Sequence, residues 1–195
     1  MRLALKASLA LWGALVQVAL ALVGTGFGAV VIGLPGPAGE APLAVLVALL
    51  ATLLIAPSIV YTWPKDRTVP SRSSGVIALL IVLTQLGPAL AIAVVSGMNA
   101  GSSGVSYAGI LLWLLALQLA AGVMLSARFQ GLAPAVYVFV CALVGRSGSV
   151  VQPWAWPLAG IDPATALLIG GIAFGVAGTL LASIGLHRSE QSFDE

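Results

Sequence analysis

Charge is what this chain most conspicuously lacks. Only 7% of its 195 residues are Asp, Glu, Lys or Arg, against 60% hydrophobic residues, and its mean hydropathy is +1.11. A soluble domain carries about 25% charged residues, so this chain could not clothe a water-facing surface. Disorder is excluded by the same figures, because disordered chains are poor in apolar residues and rich in charge. The formal net charge of +2 does not indicate nucleic-acid binding, since the basic residues stand at the ends of apolar stretches, where they orient a membrane protein. A single cysteine, Cys141, excludes an intrachain disulfide, and there is no CxxC or Cys/His cluster for a metal. The single histidine, His187, lies beside Arg188 at the end of the last apolar segment and reads as an interfacial residue.

Catalytic patterns are missing as well. No Asp, Glu, Lys, Arg or His stands in the middle of an apolar segment, the position where proton- or sodium-coupled transporters keep relays and ion ligands. There is no HExxH or GxSxG for hydrolysis. Neither lysine, Lys6 or Lys65, lies in a glycine-rich phosphate loop. The expectation is a protein that is not an enzyme and holds no cofactor or metal of its own.

What is present is a series of long apolar runs. A transmembrane helix needs about 20 mainly apolar residues, and turn-like clusters divide the chain into candidate helices near 9–32, 43–63, 75–96, 106–127, 131–145 and 164–186. The run from Ala7 to Gly33 exceeds the roughly 7–15 residues of a secretory h-region, so it is expected to be a retained first helix. Leu34-Pro35-Gly36-Pro37 stops it, Met98 to Gly104 supplies a turn, and Pro163 opens the last helix. The fifth segment is short, and Pro153-Trp154-Ala155-Trp156-Pro157 follows it. Trp154 and Trp156 suit the headgroup zone, so a short re-entrant or interfacial connection is expected there. The fold class is therefore all-α: one polytopic membrane domain over residues 1–195, with six transmembrane helices and a short tail over 189–195. The expected location is the plasma membrane of a bacterium.

Of the eight basic residues, Arg2, Lys6, Lys65, Arg67, Arg72, Arg128 and Arg188 fall on one side of such a bundle and only Arg146 on the other. The positive-inside rule then places both termini in the cytoplasm.

Helix association in lipid rests on close packing and polar contacts. Gly171, Gly175, Gly178, Ala182 and Gly185 share one face of the last helix. Intrachain packing is the simpler reading of that face, an oligomer seam the other. Gly24 and Gly28 form a weaker match in the first helix. Gln17, Gln85 and Gln118 lie inside spans; they serve either as interhelical hydrogen bonds or as a polar patch facing a substrate or partner. Pro57 and Pro88 interrupt the second and third helices.

The six-span layout resembles the membrane subunits (permeases) of export-type ATP-binding-cassette transporters. The resemblance is carried by the Lys65-to-Arg72 connection, the short fifth span, and the segment from Val140 through Arg146 to Gln152-Pro153-Trp154-Ala155-Trp156-Pro157. It implies a permease half that forms a homo- or heterodimer and couples to a separate ATPase subunit carrying ATP and Mg. Lys65, Asp66, Arg67 and Arg72 would then face that ATPase, and the cargo would be hydrophobic or peptide-like. Two other readings stay open. One is a substrate-capture subunit of an energy-coupling-factor vitamin importer, whose partner-facing small residues Ala10 and Ala14 resemble. The other is a structural subunit of a membrane complex.

Overall fold

The computed structural model describes residues 2–33, 40–62, 74–100, 103–124, 129–147 and 150–190, and side chains within 11–33, 40–57, 79–97, 103–124, 129–147 and 150–182. Its helices are α1 (Arg2–Gly26), α2 (Leu43–Thr62), α3 (Ser74–Ala100), α4 (Ser103–Met124), α5 (Leu132–Val144) and α6 (Pro163–Glu190). The leucine- and alanine-rich sequence of these segments favours helix intrinsically. An apolar solvent reinforces it, because each backbone group must then find its partner within its own segment.

The ends follow local chemistry. α1 stops at Gly26, short of the expected 32, in a glycine-rich stretch of poor helix formers. Its exit is held by Phe27 N–H to the Val23 carbonyl and Val30 N–H to the Phe27 carbonyl, each 2.9 Å. The chain then forms β1 (Val31–Gly33), which pairs antiparallel with β2 (Glu40–Pro42). The Leu34-to-Pro37 stop signal lies outside the described residues. At the start of α6 the Asp162 carboxylate accepts from the Thr165 backbone N–H at 3.0 Å and its hydroxyl at 3.2 Å. Pro163 takes the first helical position, as expected, and Asp162 caps the helix before it. α6 continues to Glu190, beyond the expected end at 186.

α5 has only 13 residues, about 20 Å of helix. The connection after it is irregular. It contains a two-residue hairpin, β3 (Arg146–Ser147) with β4 (Val150–Val151), then a 3-10 helix, Pro153–Leu158, and a turn at Gly160, whose φ of 62° suits glycine.

Three segments, Leu79–Gly97, Ser103–Met124 and Pro163–Ala182, are long and apolar enough to cross a membrane. Leu11–Gly26, Leu43–Pro57 and Leu132–Val144 are shorter apolar stretches. α4 is the central helix: 67% of its apolar window is buried, against 28% for the windows of α3 and α6. It contacts each of the other helices. Its closest neighbour is α6, where a Cβ on Gly170 would run into the Gly109 carbonyl oxygen and one on Gly109 into the backbone of Ala166. Outward-facing residues such as Leu11, Trp12, Leu80, Phe139, Leu168 and Ile172 are large, apolar and exposed, the surface that lipid requires.

Candidate functional site: a buried polar tier

Interhelical contacts fix the relative heights of the helices. Leu43 N–H bonds the Val30 carbonyl at 2.8 Å, and the Ser103 hydroxyl bonds the Thr25 carbonyl at 2.9 Å. The end of α1 and the starts of α2 and α4 therefore lie together at one end of the bundle. At the other end, Gln130 donates its Nε2–H to the Ala56 carbonyl at 2.8 Å. The Oε1 of Gln130 lies 3.3 Å from the position a Cβ would take on Gly122. α2 and α4 thus run parallel, with Ala56 level with Gly122. One turn back along both, Thr52 stands level with Gln118.

Two more side chains reach that level. Gln17 of α1 donates its Nε2–H to the carbonyl of Ala51 at 2.9 Å, the residue next to Thr52. One turn along α1, Gly13 lies under the amide of Gln85, whose Nε2 is 3.2 Å from the glycine's Cβ position. Gln17, Thr52, Gln85 and Gln118, one from each of α1 to α4, therefore occupy a band about one helical turn deep. All are buried, with 2%, 0%, 4% and 0% of their surface exposed, respectively. The three glutamines picked out in the sequence fall in one band of depth; Thr52, which the sequence did not single out, joins them from α2.

The tier is incompletely satisfied. The Thr52 hydroxyl donates to the Leu49 carbonyl at 2.7 Å. Among the described residues, Gln17 Oε1 and both the Oε1 and Nε2 of Gln118 are buried without a hydrogen-bond partner. An unpaired buried polar group costs about 1–3 kcal/mol. A leucine at position 118 would fill similar space without that penalty, so packing does not account for the amide. The available chemistry is one amide donor group and two carbonyl acceptors, all uncharged.

An aromatic cluster, with Trp156 buried and Trp113 and Tyr137 half-buried, joins the irregular connection to the bundle. Trp113 of α4 meets Tyr137 of α5 edge-on at 6.0 Å and Trp156 of the 3-10 helix at 5.9 Å between ring centroids. The Tyr137 hydroxyl donates to the Trp154 carbonyl at 2.7 Å. Trp156 is turned inward and Trp154 is exposed. Trp156 is thus an internal wedge, and Trp154 has the outward placement of an interfacial anchor.

The glycine face of α6 divides. Gly171 and Gly175 have nothing within 4 Å of their Cβ positions among the described residues, whereas Gly178 meets Leu79 of α3 at 3.5 Å. Ala182 is half-buried, and Gly185 falls in a part of α6 whose side chains are not described. The intimate crossing with α4 uses the neighbouring face, through Ala166 and Gly170. Lys65, Asp66, Arg67 and Arg72 lie outside the described residues. Gln130 went unnoticed in the sequence; its signal is a long amide placed just before the glycine that opens α5.

No protein-family model, curated protein or solved structure matches the chain.

Proposed function

We propose that this chain is the membrane-spanning, non-catalytic half of a transporter that moves an uncharged, largely apolar solute, with energy supplied by a separate ATPase. In this reading all six helices cross the bilayer with both termini cytoplasmic. α1, with 25 residues, and α2, with 20, have the length for a crossing. α5 and the aromatic-anchored connection would together occupy the depth of a sixth passage. Dimerisation with a second permease subunit completes the proposed machine.

The observation that carries this reading is the tier of buried, neutral and partly unpaired polar groups. A purely structural helix bundle has no use for amides left without partners, whereas a solute pathway does. The tier contains no Asp, Glu, Lys, Arg or His, so ion coupling through it lacks the groups it needs. The driving force then has to come from a partner, and the basic stretch from Lys65 to Arg72 suits an aqueous contact with one.

The test is purification of the tagged full chain from its native membranes in mild detergent. Expected is co-elution with an ATPase whose turnover falls when Lys65, Arg67 and Arg72 are all changed to Glu. Folded chain that elutes alone, reproducibly and across several detergents, would count against the proposal.

A further inference from the structure

We infer that the tier formed by Gln17, Thr52, Gln85 and Gln118 recognises an uncharged hydrogen-bonding group, an amide or hydroxyl, carried on an otherwise apolar solute. This rests on the transport reading above and gives its solute a chemical class.

Two independent side chains support it. Gln118 is fully buried with both ends of its amide unpaired, and the buried Oε1 of Gln17 is unpaired as well. The helix heights bring the two within about one turn of each other. An amide group of a solute carries a donor and an acceptor, the complement of the Gln118 carboxamide, and a further N–H or O–H would satisfy Gln17 Oε1. Buried sites built to hydrogen-bond a polar group reject analogues lacking it, because their own groups are then left unpaired. A carboxylate or ammonium would find no counter-charge here and would bear a large desolvation cost. The surrounding residues are apolar: Leu114, Leu115 and Leu119 on α4, Ala48 and Ile55 on α2, and Leu86 on α3 are all buried. In the packed arrangement the tier is closed, so a solute reaches it as α1 to α4 part.

The experiment uses the full chain in lipid nanodiscs and radiolabelled N-acetyl-Leu-Leu-amide, a capped apolar dipeptide, with empty nanodiscs as the partition control. Saturable binding above the control is expected. It should weaken about tenfold or more in Gln118→Leu and measurably in Gln17→Leu, the scale of losing buried hydrogen bonds. The same dipeptide with a free carboxylate should bind at least about tenfold more weakly. A thermal-melt measurement on each variant separates loss of the site from loss of folding. The inference is overturned by absence of saturable binding, or by equal binding in folded Gln118→Leu and Gln17→Leu. It is equally overturned by an experimental structure in which an ordered water satisfies Gln118 while the dipeptide fails to bind. Binding needs no ATPase, so Gln118-dependent binding by a chain that has no ATPase partner upholds the site and removes only the coupling.

Discussion

At the scale of single residues, the informative position is Gln118. In the sequence it stands out simply as an amide inside an apolar run, as do Gln17 and Gln85. Their positions were therefore legible without a structure. Which of them are satisfied was not legible, because that depends on how α1, α2 and α4 are staggered, and no residue pattern within one helix encodes the stagger. Gln17 finds the Ala51 carbonyl, whereas Gln118 finds no partner among the described residues. The difference predicts an unusual sign. Gln118→Leu should raise the thermal midpoint of the purified protein, by an amount corresponding to about 1–3 kcal/mol, while weakening binding of an amide solute about tenfold or more. A lowered midpoint in a detergent melt would mean that Gln118 is satisfied in the folded protein.

At the scale of elements, glycine placement decides which helix faces can meet. Helical spacing pointed to the face of Gly171, Gly175, Gly178, Ala182 and Gly185, yet the tight crossing of α4 and α6 runs through Gly109, Ala166 and Gly170. Gly170 and Gly171 are adjacent in sequence but point about 100° apart around the helix. The choice between their faces is made by the partner, since Gly109 on α4 lets the α6 backbone come close at Ala166 and Gly170. Gly170→Ala should therefore destabilise by about 1–3 kcal/mol through overpacking. Gly171→Ala and Gly175→Ala should be neutral or stabilising by up to about 1 kcal/mol through helix propensity. Denaturation midpoints of the three variants measured side by side give the answer, and an equal loss in all three would show that both faces are occupied. The irregular connection carries its own prediction. Tyr137→Phe removes the hydrogen bond to the Trp154 carbonyl, worth about 0.5–1.5 kcal/mol, and leaves the ring contact with Trp113 in place. Backbone amides of residues 150–161 should then exchange faster with deuterium, with α4 unchanged. Uniform acceleration across the chain would instead indicate general loosening.

At the scale of the whole molecule, the contacts divide the chain into two ends. The β1–β2 hairpin and the starts of α2 and α4 are tied together by the Leu43, Ala44 and Ser103 hydrogen bonds, and the 3-10 helix touches β2. Gln130 and Ala56 mark the opposite end, together with Leu79 and Gly178, where α3 meets α6. The hydropathy of the sequence revealed apolar segments and the charge bias suggested their orientation, but the grouping of distant loops at one end required the helix pairings. If the bundle spans the membrane as proposed, that first end faces outward. In a Cys141→Ala background, Ser102→Cys and Val150→Cys should both react with a membrane-impermeant thiol reagent added to intact cells. Ser71→Cys should react only after the membrane is permeabilised. The pairing of Ser102 with Val150 tests the fold, because the α3–α4 connection and β4 are far apart in sequence and share a side only if α5 returns the chain to the end where α4 began. The contrast with Ser71 tests orientation separately: labelling of all three from outside would refute the crossing of α3, and a clean inversion would keep the bundle but reverse its direction in the bilayer.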